Sequence, residues 1–259
     1  FIFKISEPPT SRMLSLLSEL SSNNIVYVLS SFTKNTFESL YNGVLNIGLI
    51  AENGAYVRVN GSWYNIVEEL DWMKEVAKIF DEKVERLPGS YYKIADSMIR
   101  FHTENADDQD RVPTVIGEAI THINTLFDDR DIHAYVHKDI VFVQQTGLAL
   151  AAAEFLMKFY NSGVSPTDNS RISLSRTSSS MSVGNNKKHF QNQVDFVCVS
   201  GSTSPIIEPL FKLVKQEVEK NNLKFGYTIL YGSSRSTYAK EHINGVNELF
   251  TILHDLTAA

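Results

Sequence analysis

The sequence predicts an α/β protein, a parallel sheet covered by helices, interrupted by an inserted α+β module. Three observations predict this. The first 60 or so residues alternate strand-like apolar runs with helical patterns. The middle of the chain changes rhythm to a helix, two strands, a second helix and two more strands. Beyond residue 145 the strand–helix alternation resumes. The expected division is therefore a core built from residues 1–62 and 145–256, with residues 63–144 as the insertion.

Residues 1–5 form a short apolar run. Pro8-Pro9-Thr10-Ser11 supplies a turn and a helix N-cap, and 12–20 carries leucines at helical spacing. Residues 25–29 are a continuous, largely β-branched run of the kind that fills a strand buried on both faces. A helix over 35–41 follows, then strands over 47–51 and 55–59 around the turn Glu52-Asn53-Gly54. In the insertion, 70–80 is amphipathic, with Trp72, Val76 and Phe80 on one face. Strands are predicted over 90–95, 97–103, 133–138 and 140–143, and a helix over 113–127. The second part of the core reads as a helix over 148–159, a strand over 194–199, a helix over 208–219, a strand over 227–231 and a last helix over 245–256.

A chain of 259 residues with 43% apolar content buries a sizeable core. Its net charge of -6 gives no general attraction for nucleic acid or an anionic membrane. The single cysteine, Cys198, lies in an apolar run, which predicts a small buried core residue. One cysteine allows no disulfide framework, so a reducing, cytoplasmic setting is expected. No apolar stretch approaches the roughly 20 residues that span a bilayer, and no secretory signal opens the chain. The abrupt start inside a strand-like run predicts a segment of a longer polypeptide.

Residues 161–193 are rich in Ser, Asn and basic groups and poor in large apolar ones. Such a segment buries too little surface to offset its ordering entropy, which predicts a mobile loop. Arg171 and Arg176 precede a serine cluster, making Ser173, Ser175, Ser178 and Ser179 candidate phosphorylation sites for a basophilic kinase. The alternative is a solvated insertion without regulation.

Several strings carry a resemblance that runs in order along nearly the whole chain. Glu85-Arg86-Leu87-Pro88-Gly89-Ser90-Tyr91 resembles the E-R-T-x-G-S-F segment of trehalose-6-phosphate phosphatases. Ile99-Arg100-Phe101-His102-Thr103-Glu104-Asn105-Ala106-Asp107 resembles their L-T-W-H-Y-R-N-A-D, and Gly48-Leu49-Ile50-Ala51-Glu52-Asn53-Gly54 their G-L-S-A-E-H-G. Gly232, Ala239-Lys240, Val246 and Leu249 are similar to the closing pattern. The resemblance implies a haloacid-dehalogenase-like, Rossmann-like core with an α+β cap.

The resemblance also implies what catalysis would require. Members of that superfamily attack phosphorus with an aspartate at the end of the first strand, use a second aspartate two residues later as acid and base, and hold Mg²⁺ through carboxylates. Here no aspartate precedes Asp71, and the D-x-D-G-T stretch reads as shortened and its nucleophile position as missing. Ser30 matches the phosphate-binding hydroxyl after the second strand. Gln145-Thr146-Gly147 replaces N-K-G, and 199–205 replaces the acidic fourth motif, with Glu208 as the nearest carboxylate. Among the cap's sugar-contacting positions Lys138 persists, while Phe142 stands for a glutamate and Gln144 for an arginine. Asp108-Gln109-Asp110 and Asp129-Arg130-Asp131 lie in polar turns of the cap and read as solvated.

No catalytic residue, metal site or cofactor is therefore expected, and Ser30 and Lys138 are the candidate, vestigial ligand contacts. The resemblance extends to the degenerate phosphatase-like domain that ends fungal trehalose synthase regulatory subunits. It implies a non-catalytic regulatory or scaffold role, with trehalose-6-phosphate synthase and phosphatase subunits as partners. A sugar-phosphate sensor is the alternative, and a working phosphatase the least favoured reading.

Overall fold

The computed structural model describes residues 1–67, 70–137, 139–162, 194–232 and 236–258. The larger sheet contains, in spatial order, β12 (Glu241–Ile243), β11 (Phe225–Tyr231), β10 (Phe196–Ser202), β1 (Ile2–Lys4), β2 (Val26–Leu29), β3 (Ile47–Ala51), β4 (Tyr56–Val59) and β5 (Ser62–Asn65). The strands from β12 to β3 run parallel, and β4 and β5 are antiparallel additions at one edge. Every residue of β2 and β3 is buried, as continuous apolar strands require when both faces are covered.

The helices are α1 (Ser11–Asn23), α2 (Lys34–Tyr41), α3 (Trp72–Arg86), α4 (Val112–Leu126), α5 (Leu148–Asn161), α6 (Glu208–Glu219) and α7 (Val246–Ala258). The chain steps from β1 to β2 in one direction across the sheet and from β10 to β11 in the other. Right-handed crossovers then place α1 and α6 on opposite faces. α1 packs against α7, and α5 against α6. The direction of winding thus reverses between β1 and β10.

The smaller sheet has the order β6 (Tyr91–Ile94), β7 (Met98–His102), β9 (Ile140–Gln145), β8 (Ile132–His137), all antiparallel. Its strands alternate. Ile99, Phe101, Val141 and Val143 face α3 and α4, forming an apolar cluster separate from that of the larger sheet. Phe80 of α3 stacks on Phe101 with ring centres 4.9 Å apart. Leu70 packs against both clusters.

Two strands lie beyond the sequence reading. β5 follows a hairpin turn in which Asn60 (φ 50°) and Gly61 (φ 85°) take the left-handed conformations of a type I′ turn. The Asn-Gly pair was the available signal, but β5 is short and partly exposed, so its pattern is faint. β12 is a three-residue polar edge strand. α3 also runs past the predicted 70–80 to Arg86, where Lys83 and Arg86 both bind Glu118 of α4.

Truncating Phe101 removes the centre of the smaller cluster. Phe101→Ala is expected to cost about 3–5 kcal/mol in urea unfolding. Ile94→Ala, at an exposed position of the same sheet, should stay within about 0.5 kcal/mol.

Candidate functional site

In an open α/β sheet the ligand crevice lies at the carboxyl ends of the strands, where the winding reverses. That point falls here between the ends of β1 and β10. β1 pairs in register with both neighbours, Phe3 opposite Ser200 and Lys4 opposite Leu29. The strand end is thus present and closes on Lys4, followed by Ile5 and Ser6. A cation, Lys4, thus stands at the end of the first strand.

Lys4 is buried, and its Nζ donates to Ser6 Oγ at 3.1 Å. Burial lowers its pKa below the ordinary lysine value. Tyr231, the last residue of β11, reaches across β10 and donates its hydroxyl to the Lys4 carbonyl at 2.5 Å. Burial pushes this phenol up to about 12, against a hydrogen bond with Ser202. Ser30 follows β2 and is buried, and its Oγ has no hydrogen-bond partner in the structure.

The crest is joined to the smaller sheet through the turn after β3. Glu52 (φ 48°), Asn53 (φ 55°) and Gly54 (φ 117°) are all left-handed. A side chain at Gly54 would meet the Leu148–Ala149 backbone at 2.3 Å, so only glycine lets the turn lie against the start of α5. The Glu52 carboxylate is fully buried and accepts hydrogen bonds from the Ser97 N–H at 2.7 Å and Oγ at 2.6 Å. Asn53 Nδ2 donates to Gln144 Oε1 at 2.8 Å. Arg100 of β7 donates to the Ser31 carbonyl, beside Ser30. Burial lowers the Arg100 pKa, and the Glu52 charge opposes that shift.

Arg100 also lies over the Phe142 ring, at 5.8 Å, and Phe142 stacks on Tyr135 at 5.5 Å. Burial raises the Tyr135 phenol to about 12. Near this stack, the gap among Asn53, Tyr135, Gln144, Leu148 and Ile206 measures about 70 Å³. Ligand pockets for small molecules begin near 300 Å³. A larger cavity of about 720 Å³ opens at the amino ends of the central strands β10, β1 and β2, beside α5 and α6, around the Tyr27–Tyr160 hydroxyl pair.

Of the sequence-predicted contacts, Ser30 lies at the crest. Lys138 lies outside the described residues, as do Ser173, Ser175, Ser178 and Ser179. Glu208 is engaged elsewhere: its carboxylate accepts from Thr237 Oγ1 at 2.7 Å and the Tyr238 N–H at 3.0 Å, holding the connection to β12. Sequence reading missed Lys4, Tyr231, Glu52 and Arg100. A signal existed for two of them, since Lys4 interrupts an apolar run and Arg100 lies on the face of β7 opposite Ile99 and Phe101. Cys198 is buried as expected, its thiol pushed up to about 11. Among the described residues no group of three or more His, Cys, Asp or Glu is placed to hold a metal ion, and no helix is long and apolar enough to cross a membrane.

A parallel sheet with a reversal crevice, facing a small antiparallel sheet, is the architecture of haloacid-dehalogenase-type phosphatases. The trehalose-phosphatase family model matches residues 1–216, and the chain belongs to that family. It is 58% identical over 263 residues to the trehalose synthase complex regulatory subunit TSL1 of Saccharomyces cerevisiae, covering 98% of this chain and 24% of that protein. A Schizosaccharomyces pombe trehalose-phosphatase is 35% identical over 109 residues, 40% of this chain and 13% of that one. The chain thus spans a quarter or less of the curated relatives it matches. Among solved structures, the Candida albicans trehalose synthase regulatory protein C-terminal domain superposes with a TM-score of 0.78 at 27% identity, covering 97% of this chain and 92% of that one. The Candida albicans trehalose-6-phosphate phosphatase C-terminal domain gives 0.72 at 19% identity over 100% and 91%, a likeness of fold.

Lys4 yields a pH test. Its folded pKa lies below the unfolded value of 10.5. Between the two the unfolded chain binds more protons, so stability rises with pH through that window. Lys4→Met is expected to remove its share of this rise, leaving that of the buried Phe1 amine, and to add about 1 kcal/mol at neutral pH, since it removes a desolvated cation. Urea unfolding at several pH values up to the lysine range measures both.

Proposed function

We propose that this chain is a non-catalytic phosphatase-type domain of a trehalose synthase complex regulatory subunit, a scaffold that works in the cytoplasm with trehalose-6-phosphate synthase and phosphatase subunits. The observation that carries the reading is Lys4 at the end of β1. Phosphoryl transfer of this type needs a carboxylate there as nucleophile and others nearby to hold a divalent cation. The end of β1 instead carries Lys4 and Ser6, with Ser30 and Ser202 at the ends of its neighbours; of the carboxylates near these strand ends, Glu7 acts on Tyr231 and Glu52 is bound by Ser97. Hydroxyls beside an ammonium group do not suit Mg²⁺, which asks for carboxylate oxygens in octahedral array. The 58% identity to a regulatory subunit supports the same reading.

The division into a core of 1–62 with 145–256 and a cap of 63–144 belongs to this proposal. Two sheets with two apolar clusters support it, with the first boundary moved beyond β5 at Asn65. The sensor reading rests on the unpartnered Ser30 Oγ.

The purified chain is expected to release no phosphate from trehalose 6-phosphate with Mg²⁺ present, and to give no binding heat at millimolar ligand. Turnover that follows the protein through purification and stops with chelator would overturn the proposal. Capture of the synthase and phosphatase subunits, with and without residues 161–193, tests the scaffold role and the serine cluster together.

A further inference from the structure

We infer that the cap is latched shut against the crest by the protein's own side chains, so that the two sheets act as one rigid body without any ligand. The inference goes beyond the loss of catalysis and holds whether or not the crest has any chemistry.

Four polar links cross the seam. Ser97 donates twice to Glu52. Arg100 donates to the Ser31 carbonyl. Asn53 donates to Gln144. Lys34 pairs with Asp96 at 3.0 Å on the rim. On the cap side the links are clustered, because Gln144 of β9 lies opposite Met98 of β7, between Ser97 and Arg100 in sequence. On the core side they come from two segments that are themselves bonded together. Glu52 N–H donates to the Phe32 carbonyl at 3.0 Å, and Asn53 N–H to the Ser30 carbonyl at 2.9 Å. Opening the cap would therefore break all four links together.

Three features favour the shut state. Ser97 N–H and Oγ converge on Glu52 Oε2 as two short charge-assisted bonds, which separation would break, while Oε1 has no partner in the structure. The left-handed backbone at Glu52 and Asn53 persists only where the surroundings hold it, and it aims both side chains at the cap. Arg100 bridges the seam while resting against Phe142 and Met98, Nε to Sδ at 3.4 Å, which gives the guanidinium apolar cover on the cap side.

Hydrogen–deuterium exchange on the whole chain tests this. In the double variant Glu52→Gln/Arg100→Met, the Ser97 amide, which donates across the seam, is expected to exchange at least about 10-fold faster. The Glu52 and Asn53 amides, bonded within the core side, and amides inside β2 and β9 should keep their wild-type rates. Asn53→Gly keeps the left-handed backbone and removes only the Gln144 link. It should raise exchange several-fold at Ser97, and it serves if the double variant does not fold. Arg86→Ala, on the pair with Glu118 away from the seam, should leave the Ser97 amide unchanged. A Ser97 amide that exchanges at the wild-type rate in both seam variants would overturn the latch. So would a uniform rise at Ser97 and in both sheet interiors, which reports loss of stability alone.

Discussion

A charge without water shapes this molecule. Removing a carboxylate from solvent costs several kcal/mol unless donors surround it, and Glu52 is fully buried at the junction of the two sheets. Both its donors come from Ser97, 45 residues along the chain and just before β7, and both meet Oε2, while Oε1 has no partner in the structure. Those two bonds tie the smaller sheet to the larger one at this point. The turn that carries Glu52 is constrained again from behind, since Gly54 lies against the α5 backbone with no room for a side chain. Core strand, crossover helix and cap meet at three consecutive left-handed residues. Their strain is tolerated because each contact is already made.

The crest shows how polar groups at strand ends can close on one another. Parallel strands still end together at the reversal point, and the backbone there still forms a crevice. Within it Lys4 binds Ser6, and Tyr231 binds the Lys4 carbonyl. Arg100 reaches the carbonyl beside Ser30. These groups satisfy one another, so the crevice holds internal hydrogen bonds where an open site would present free donors and acceptors. Ser30 Oγ and Ser200 Oγ are exceptions, buried without partners. Each such group carries a desolvation cost of about 1–3 kcal/mol.

Much of the architecture was legible along the chain. The continuous run at β2 announced a covered strand, the alternation at β7 and β9 a one-sided sheet, and the leucine spacing of α1 an amphipathic helix. These are local periodicities, and burial enforces them residue by residue. Edge elements were harder. β5 and β12 are short and half exposed, so little burial pressure shapes their sequence. The site was legible only as residue types along single segments. The partners of Glu52 and Arg100 lie too far away in sequence to be paired by inspection.

The sequence alone determined the α/β class, the change of strand–helix rhythm in the middle of the chain and the buried cysteine, because each follows from residue type at fixed local spacing. Tertiary structure decided the rest. It brought Lys4 to the end of β1 with Tyr231 across it, set Arg100 against Ser31, and narrowed the gap near Tyr135 to about 70 Å³. Those outcomes depend on contacts spanning tens to hundreds of residues. Hydrogen bonding selects such contacts only once both sheets have formed and excluded water.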